Sequence, residues 1–193
     1  MMDEKRQPHN LRLIVTLSYT VLIFALLPVS PSIWGFFFRF YPGVLKELGY
    51  LLVFFLVVLF FAYFALIHRK KGPVFYVWSS ALLLSYVPLV FFYCEYPAER
   101  FHLVEYGVLV ICTYWCLKTR IQSFWIYLIV TCYACLIGLL DELIQGILPN
   151  RVYEFKDITI NWVSSLVATG LLVGVTWERA KANKDILNES MKH

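Results

Sequence analysis

Long apolar runs constrain this chain more than any other feature. Stretches of seventeen or more residues with few or no charges recur between residues 11 and 177. A hydrocarbon core of ~30 Å needs about 20 residues of α-helix at ~1.5 Å per residue. Lipid offers backbone amides no partner, so such a run must be a helix, which satisfies its own. The pattern predicts six spans: Leu11–Leu27 ending at Pro28, Leu48–Ile67, Val74–Tyr93 with a kink at Pro88, Phe101–Leu117, Ser123–Leu148 and Ile158–Trp177. The expected fold class is therefore all-α, a polytopic membrane helical bundle in which residues 1–193 form one integral membrane domain. Between the first two spans, SIWGFFFRFYPG carries a Trp, four Phe and Arg39. That composition suits a segment lying along the bilayer interface.

Composition agrees. The chain is 60% hydrophobic and 16% charged, whereas soluble domains carry about 25% charged residues. The net charge of +4 sits on short loops and tails, where topology accounts for it, so no nucleic-acid partner is expected. Cys94, Cys112, Cys116, Cys132 and Cys135 are read as small packing residues, although Cys132 and Cys135 form a CxxC. The N-terminal apolar run ends in PVSPS without a small-residue cleavage site, which favours a retained first helix over a signal peptide. No internal repeat is visible, which weighs against a transporter.

Lysine and arginine placement sets the expected orientation. Twelve of the seventeen fall on the side holding both termini: Lys5, Arg6, Arg12, Arg69, Lys70, Lys71, Lys118, Arg120, Arg179, Lys181, Lys184 and Lys192. Arg39, Lys46, Arg100, Arg151 and Lys156 fall on the other. The positive-inside rule puts both termini in the cytoplasm. The connection between the last two spans then faces outward.

That connection, with the helix ends beside it, holds most of the polar chemistry: DELIQGILPNRVYEFKDITIN, from Asp141 to Asn161. Asp141 and Gln145 are i, i+4, and Glu142 and Gln145 are i, i+3. Asp157 and Asn161 are i, i+4, with Asp157 also placed to cap its helix. Upstream, Glu99, His102 and Tyr106 share a helical face, and Glu105 follows His102 by three. If the fifth helix runs to Leu148, Asp141 lies ~12 Å below its end. Acids at that depth need partners or water. Arg151 is the expected partner, with Arg100 and His102 behind it. Singly, each residue has a plain structural reading as cap, anchor or interhelical contact. Their convergence from three helices at one depth favours a functional site.

D-E-x-x-Q, then Pro-x-Arg, then an Asp and an Asn one turn apart, preceded by His102, Glu105 and Tyr106, resembles the VanZ-like family of bacterial membrane proteins. Here the motif reads Asp141, Glu142, Gln145, Pro149, Arg151, Asp157 and Asn161 within a motif-bearing part of about residues 99–177. Ile144 and Ser164 depart from the histidine and glycine that many relatives carry. The resemblance implies a bacterial envelope protein and a link to teicoplanin resistance, without an established reaction.

Two functions fit these residues. One is a site binding an anionic or amphiphilic envelope molecule: a lipid headgroup, a lipid-linked intermediate or a lipoglycopeptide. Arg151, Arg100 and Lys156 would hold phosphate or carboxylate there, the arginines by their forked donors, and Gln145 and Asn161 would hydrogen-bond sugar or amide groups. The other is an intramembrane enzyme on a lipid-linked precursor, with Asp141 and Glu142 as base or ligands and His102 or Glu105 as acid. No nucleophile motif is present. No cofactor is expected, and hard carboxylate oxygens would suit Mg²⁺ or Mn²⁺ better than zinc were one bound. The charge split predicts that, in a cysteine-free background, a cysteine at position 150 reacts with an impermeant thiol reagent in wall-accessible cells. A cysteine at position 70 should stay protected, and the reverse pattern would refute the orientation.

Overall fold

A computed structural model of the chain describes residues 9–41, 44–66, 72–149 and 151–190, with the side chains of 45, 46, 49, 97 and 177–190 left undescribed. The loop charges Lys5, Arg6, Arg69, Lys70, Lys71 and Lys192 used for orientation lie outside the described residues, as do the tail side chains Arg179, Lys181 and Lys184. Among the described residues there are helices and no strands. They are α1 (His9–Leu26), α2 (Ser30–Phe40), α3 (Val44–Leu66), α4 (Pro73–Leu84), the single turn α5 (Tyr86–Pro88), α6 (Pro97–Leu117), α7 (Trp125–Gln145) and α8 (Phe155–Ser190). A π turn, Leu89–Tyr93, follows α5.

Four helical stretches are long and apolar enough to cross a membrane: His9–Leu26, Pro73–Tyr93, Trp125–Gln145 and Phe155–Thr176. Two of the expected spans differ from these for physical reasons. The apolar part of α3, Tyr50–Leu66, is shorter. α6 is 21 residues long, but its first turns carry Glu99, Arg100, His102 and Glu105. The aromatic segment after α1 is a helix, α2, that buries none of its residues.

The expected kink at Pro88 is a broken helix. Proline supplies no N–H and clashes with the preceding turn. The chain leaves α4 at Ser85, whose N–H bonds Leu82 O at 3.1 Å, and resumes with π geometry, the Cys94 N–H reaching Leu89 O at 2.7 Å. Such a turn strands carbonyls, and Arg100 collects them. Its Nε donates to Val90 O at 3.3 Å and its Nη2 to Cys94 O at 2.9 Å.

α8 is the central element, packed against α4, α6 and α7. One core joins Tyr106, Leu109 and Val110 of α6 to Ile126, Val130, Ala134 and Ile137 of α7, with Ile23 and Ala168. Apolar side chains such as Phe54 (66% exposed), Val74 (74%) and Leu166 (58%) face outward. A water-soluble protein rarely shows so much contiguous apolar surface, whereas lipid accepts it. Many hydroxyls within the helices are satisfied locally, although Ser79 Oγ is buried without a partner among the described residues. Thr16, Thr20, Thr113, Thr131, Ser165 and Thr169 each donate to the carbonyl four residues earlier. Several also link helices, as Thr131 to Thr169 at 2.8 Å and Thr20 to Tyr133 at 2.9 Å.

Glycines set the closest approaches. The GxxxG of Gly170 and Gly174 meets α4: added Cβ atoms would come within 2.9 Å of Leu82 and of Trp78, whose Nε1 donates to Gly170 O at 3.1 Å. A Cβ on Gly138 would stand 2.8 Å from the Cβ of Asn161, whereas one on Gly107 would meet only Ala168, at 3.8 Å. Gly138→Ala should therefore destabilise the detergent-purified protein by roughly 1–3 kcal/mol, the usual cost of overpacking. Gly107→Ala should leave its melting temperature near wild type, and equal melting of the two variants would contradict this packing.

Candidate functional site

The polar residues of α6, α7 and the start of α8 meet at one end of the bundle. α7 stops at Gln145, three residues short of the expected Leu148. The Ile147 N–H bonds Ile144 O at 3.0 Å and the Leu148 N–H bonds Gln145 O at 3.1 Å, tightening the chain before Pro149. Asp141 therefore lies four residues, or ~6 Å, from its helix end, shallower than the sequence suggests. It is still enclosed: Asp141 is 1% and Glu142 0% exposed.

Each carboxylate is held by named donors. The Tyr106 hydroxyl donates to Asp141 Oδ2 at 3.0 Å, and Asp141 Oδ1 is buried without a partner among the described residues. Gln145 Nε2 donates to Glu142 Oε1 at 2.8 Å, and the Glu154 N–H reaches Glu142 Oε2 at 3.3 Å. His102 Nδ1 lies 3.3 Å from Glu105 Oε2, an ion-pair distance without hydrogen-bond geometry. A ring nitrogen of His102 and one carboxylate oxygen each from Asp141 and Glu142 lie within 4.8 Å of one another. Asn161, fully buried, donates from Nδ2 to Gly138 O at 3.4 Å and leaves its Oδ1 unpartnered.

The cations are placed differently from the expectation. Arg151 forms no ion pair with Asp141 or Glu142. Its Nε donates to Leu27 O at 3.4 Å and its Nη2 to Ser30 Oγ, joining the end of α1 to the start of α2. The α1 carbonyls have no helical successor, and a guanidinium is suited to them. Arg100 is 2% exposed and turned away from the acids, spent on the π-turn carbonyls and on Tyr50, whose hydroxyl accepts at 3.1 Å. Lys156 Nζ donates to Glu99 Oε1 at 3.0 Å and lies 3.6 Å from Glu95. Glu99 in turn caps α6, its Oε2 accepting the Glu95 and Tyr96 N–H groups at 2.6 and 3.2 Å. Asp157 sits inside the first turn of α8, since the helix begins at Phe155, so it is not the cap. The thiol of Cys94, beside these groups, is pushed up to about 11 by burial and by the Glu99 carboxylate, and stays neutral.

A cavity of about 370 Å³ opens beside the acids. One wall is apolar, from Leu22, Leu26, Ile33 and Trp34 on α1 and α2; the other presents His102, Glu105, Asp141 and Arg151. Trp34 packs edge-on against Phe101 with centroids 5.2 Å apart, which fixes α2 against α6. Glu142, Gln145 and Asn161 stand behind this surface. The part of α1 and α2 in the wall was not legible as such, because nothing in their apolar sequence distinguishes a cavity-facing residue from a lipid-facing one.

Pattern reasoning passed over Tyr86 and Tyr19, and it noted Ser164 only as a departure from the family pattern. Ser164 Oγ donates to Leu103 O at 2.6 Å, tying α8 to α6 where glycine would leave that carbonyl's second lone pair open. Tyr19 donates to Glu105 O at 3.1 Å.

No family model, curated protein or solved structure matches this chain.

The geometry divides the arginines by role. Arg100→Met should remove three donated hydrogen bonds and destabilise the protein by roughly 2–4 kcal/mol, seen as lost membrane abundance and a lowered melting temperature. A wild-type melting curve for Arg100→Met would show that the π-turn carbonyls need no cation.

Proposed function

We propose that this is a VanZ-like protein of the bacterial cytoplasmic membrane whose extracytoplasmic cavity binds the polar head of an anionic or amphiphilic molecule. A lipid-linked envelope intermediate, a membrane lipid or a lipoglycopeptide such as teicoplanin has the required chemistry. In this reading α1, α3, α4 with its continuation through the π turn, α6, α7 and α8 all cross the bilayer, with both termini cytoplasmic and α2 at the outer interface. The shorter apolar part of α3 spans if the bilayer thins locally, and the charges of α6 are tolerated because they face protein.

The observation that carries the reading is the cavity's two-sided lining. Acyl or prenyl chains fit against Leu22, Leu26, Ile33 and Trp34, and a charged or sugar-bearing head fits against Arg151, His102 and Glu105. Arg151 uses its Nε and Nη2 on Leu27 and Ser30, which leaves Nη1 for a phosphate or carboxylate. Arg100 and Lys156 take no part, being engaged elsewhere. Binding of this kind needs no chemistry, and masking or withdrawing an envelope molecule would suffice for resistance.

A second reading is favoured by one observation, the convergence of His102, Asp141 and Glu142. An enzyme acting on a lipid-linked precursor would use that group beside the bound head.

Co-purifying lipid tests the proposal. Arg151→Ala should remove the anion contact, and Leu26→Trp should fill the apolar wall without touching the polar one. Both variants should accumulate, Arg151→Ala with a modestly lowered melting temperature for its lost bonds to Leu27 and Ser30 and Leu26→Trp melting near wild type, yet both should lose the lipid class that mass spectrometry finds with the wild type. Host teicoplanin susceptibility should move with it. If both keep wild-type lipid and phenotype, the cavity is not the binding site.

A further inference from the structure

Asp141 and Glu142 are buried acids on adjacent residues of one helix, 1% and 0% exposed. Among the described residues no lysine or arginine lies within ion-pair distance of either, since the pairs formed are Lys156 with Glu95 and Glu99, and His102 with Glu105. An isolated carboxylate in such surroundings is costly unless it takes a proton or a counter-ion. Hydrogen bonds already fix both side chains. Tyr106 holds Asp141 by Oδ2 and leaves Oδ1 buried and unpartnered; Gln145 and the Glu154 N–H hold Glu142. Glu105 stands 3.3 Å from the ring of His102. Metal-ligating carboxylates and imidazoles are oriented in this way by a surrounding layer of donors and acceptors.

We infer that His102, Asp141 and Glu142 form a binding site for a divalent cation, Mn²⁺ by its carboxylate oxygens or Zn²⁺ by the imidazole nitrogen added to them. One nitrogen and two oxygen donors from α6 and α7 lie within 4.8 Å of one another. Donors around a tetrahedral ion at ~2.1 Å stand about 3.4 Å apart, so small side-chain rotations close the set. Two carboxylates balance the charge of the ion. Three protein donors leave at least one position open, and because His102 and Asp141 line the cavity, that position faces it. The second acidic group, Glu99, Glu154 and Asp157, is a weaker candidate, since Lys156 already neutralises Glu99 at 3.0 Å. The inference is independent of what the cavity holds, and its test reads metal rather than lipid.

Tag-free full-length protein in detergent would be stripped with EDTA, dialysed and titrated by calorimetry with ZnCl₂ and, separately, with MnCl₂. Wild type should bind about one equivalent of at least one ion, with a melting temperature that rises as the ion is added. Asp141→Asn, Glu142→Gln and His102→Gln should each weaken that binding about tenfold or more, and Tyr106→Phe, which keeps all three donors, about tenfold. Glu154→Gln, in the other acidic group, should bind as wild type does. If the donor variants fail to accumulate, Tyr106→Phe decides. Absence of saturable binding of both ions by wild type would overturn the inference, leaving the carboxylates neutralised by protons. So would wild-type affinity in Tyr106→Phe and in every donor variant that accumulates, or loss of binding in Glu154→Gln alone.

Discussion

Every polar group in this chain that lies among apolar helices must be satisfied by another part of the chain, because lipid supplies no partner. Most of the architecture follows from that. Many threonines and serines donate back along their own helices. Arg100 exists to cover the carbonyls that Pro88 and the π turn release. Arg151 does the same for the end of α1, and Ser164 for Leu103 on α6. Arg100 and Arg151, expected beside the acids, serve backbone carbonyls.

Against that economy, the α6–α7 acids stand out. Among the described residues Asp141 Oδ1 and Asn161 Oδ1 are buried without partners, as are Asp157 Oδ1 and Ser79 Oγ. Unmet capacity of this kind is expensive and marks a place where something else is bound or a proton is held. The close contact of Gly138 with Asn161 brings α7 and α8 together at this point.

Helix existence was legible because apolar runs leave a membrane chain few alternatives. The extent of α1, the start of α4 and an interruption near Pro88 followed from runs and prolines, whereas the end of α4 at Leu84 did not. Boundaries at the polar end were not legible: α7 stops before Gly146 and α8 begins at Phe155, since local turns, not hydropathy, decide there. The candidate residues do gather at one end of the bundle, as i, i+3 and i, i+4 spacing implies within each helix. Spacing carries no information about pairing between helices, however. That is why Lys156 with Glu99, Tyr106 with Asp141 and Arg151 with Leu27 had to be seen in three dimensions.

α2 buries none of its residues and is held to the bundle by Trp34 on Phe101 and by Ser30 on Arg151. An element with so little anchorage opens at small free energy compared with the core it rests on. It also forms one wall of the cavity. A molecule reaching the acids past α2 would arrive sideways, from within the leaflet. Its encounter rate would then follow its surface density among neighbouring lipids, a search in two dimensions, and would be indifferent to its concentration in the surrounding water.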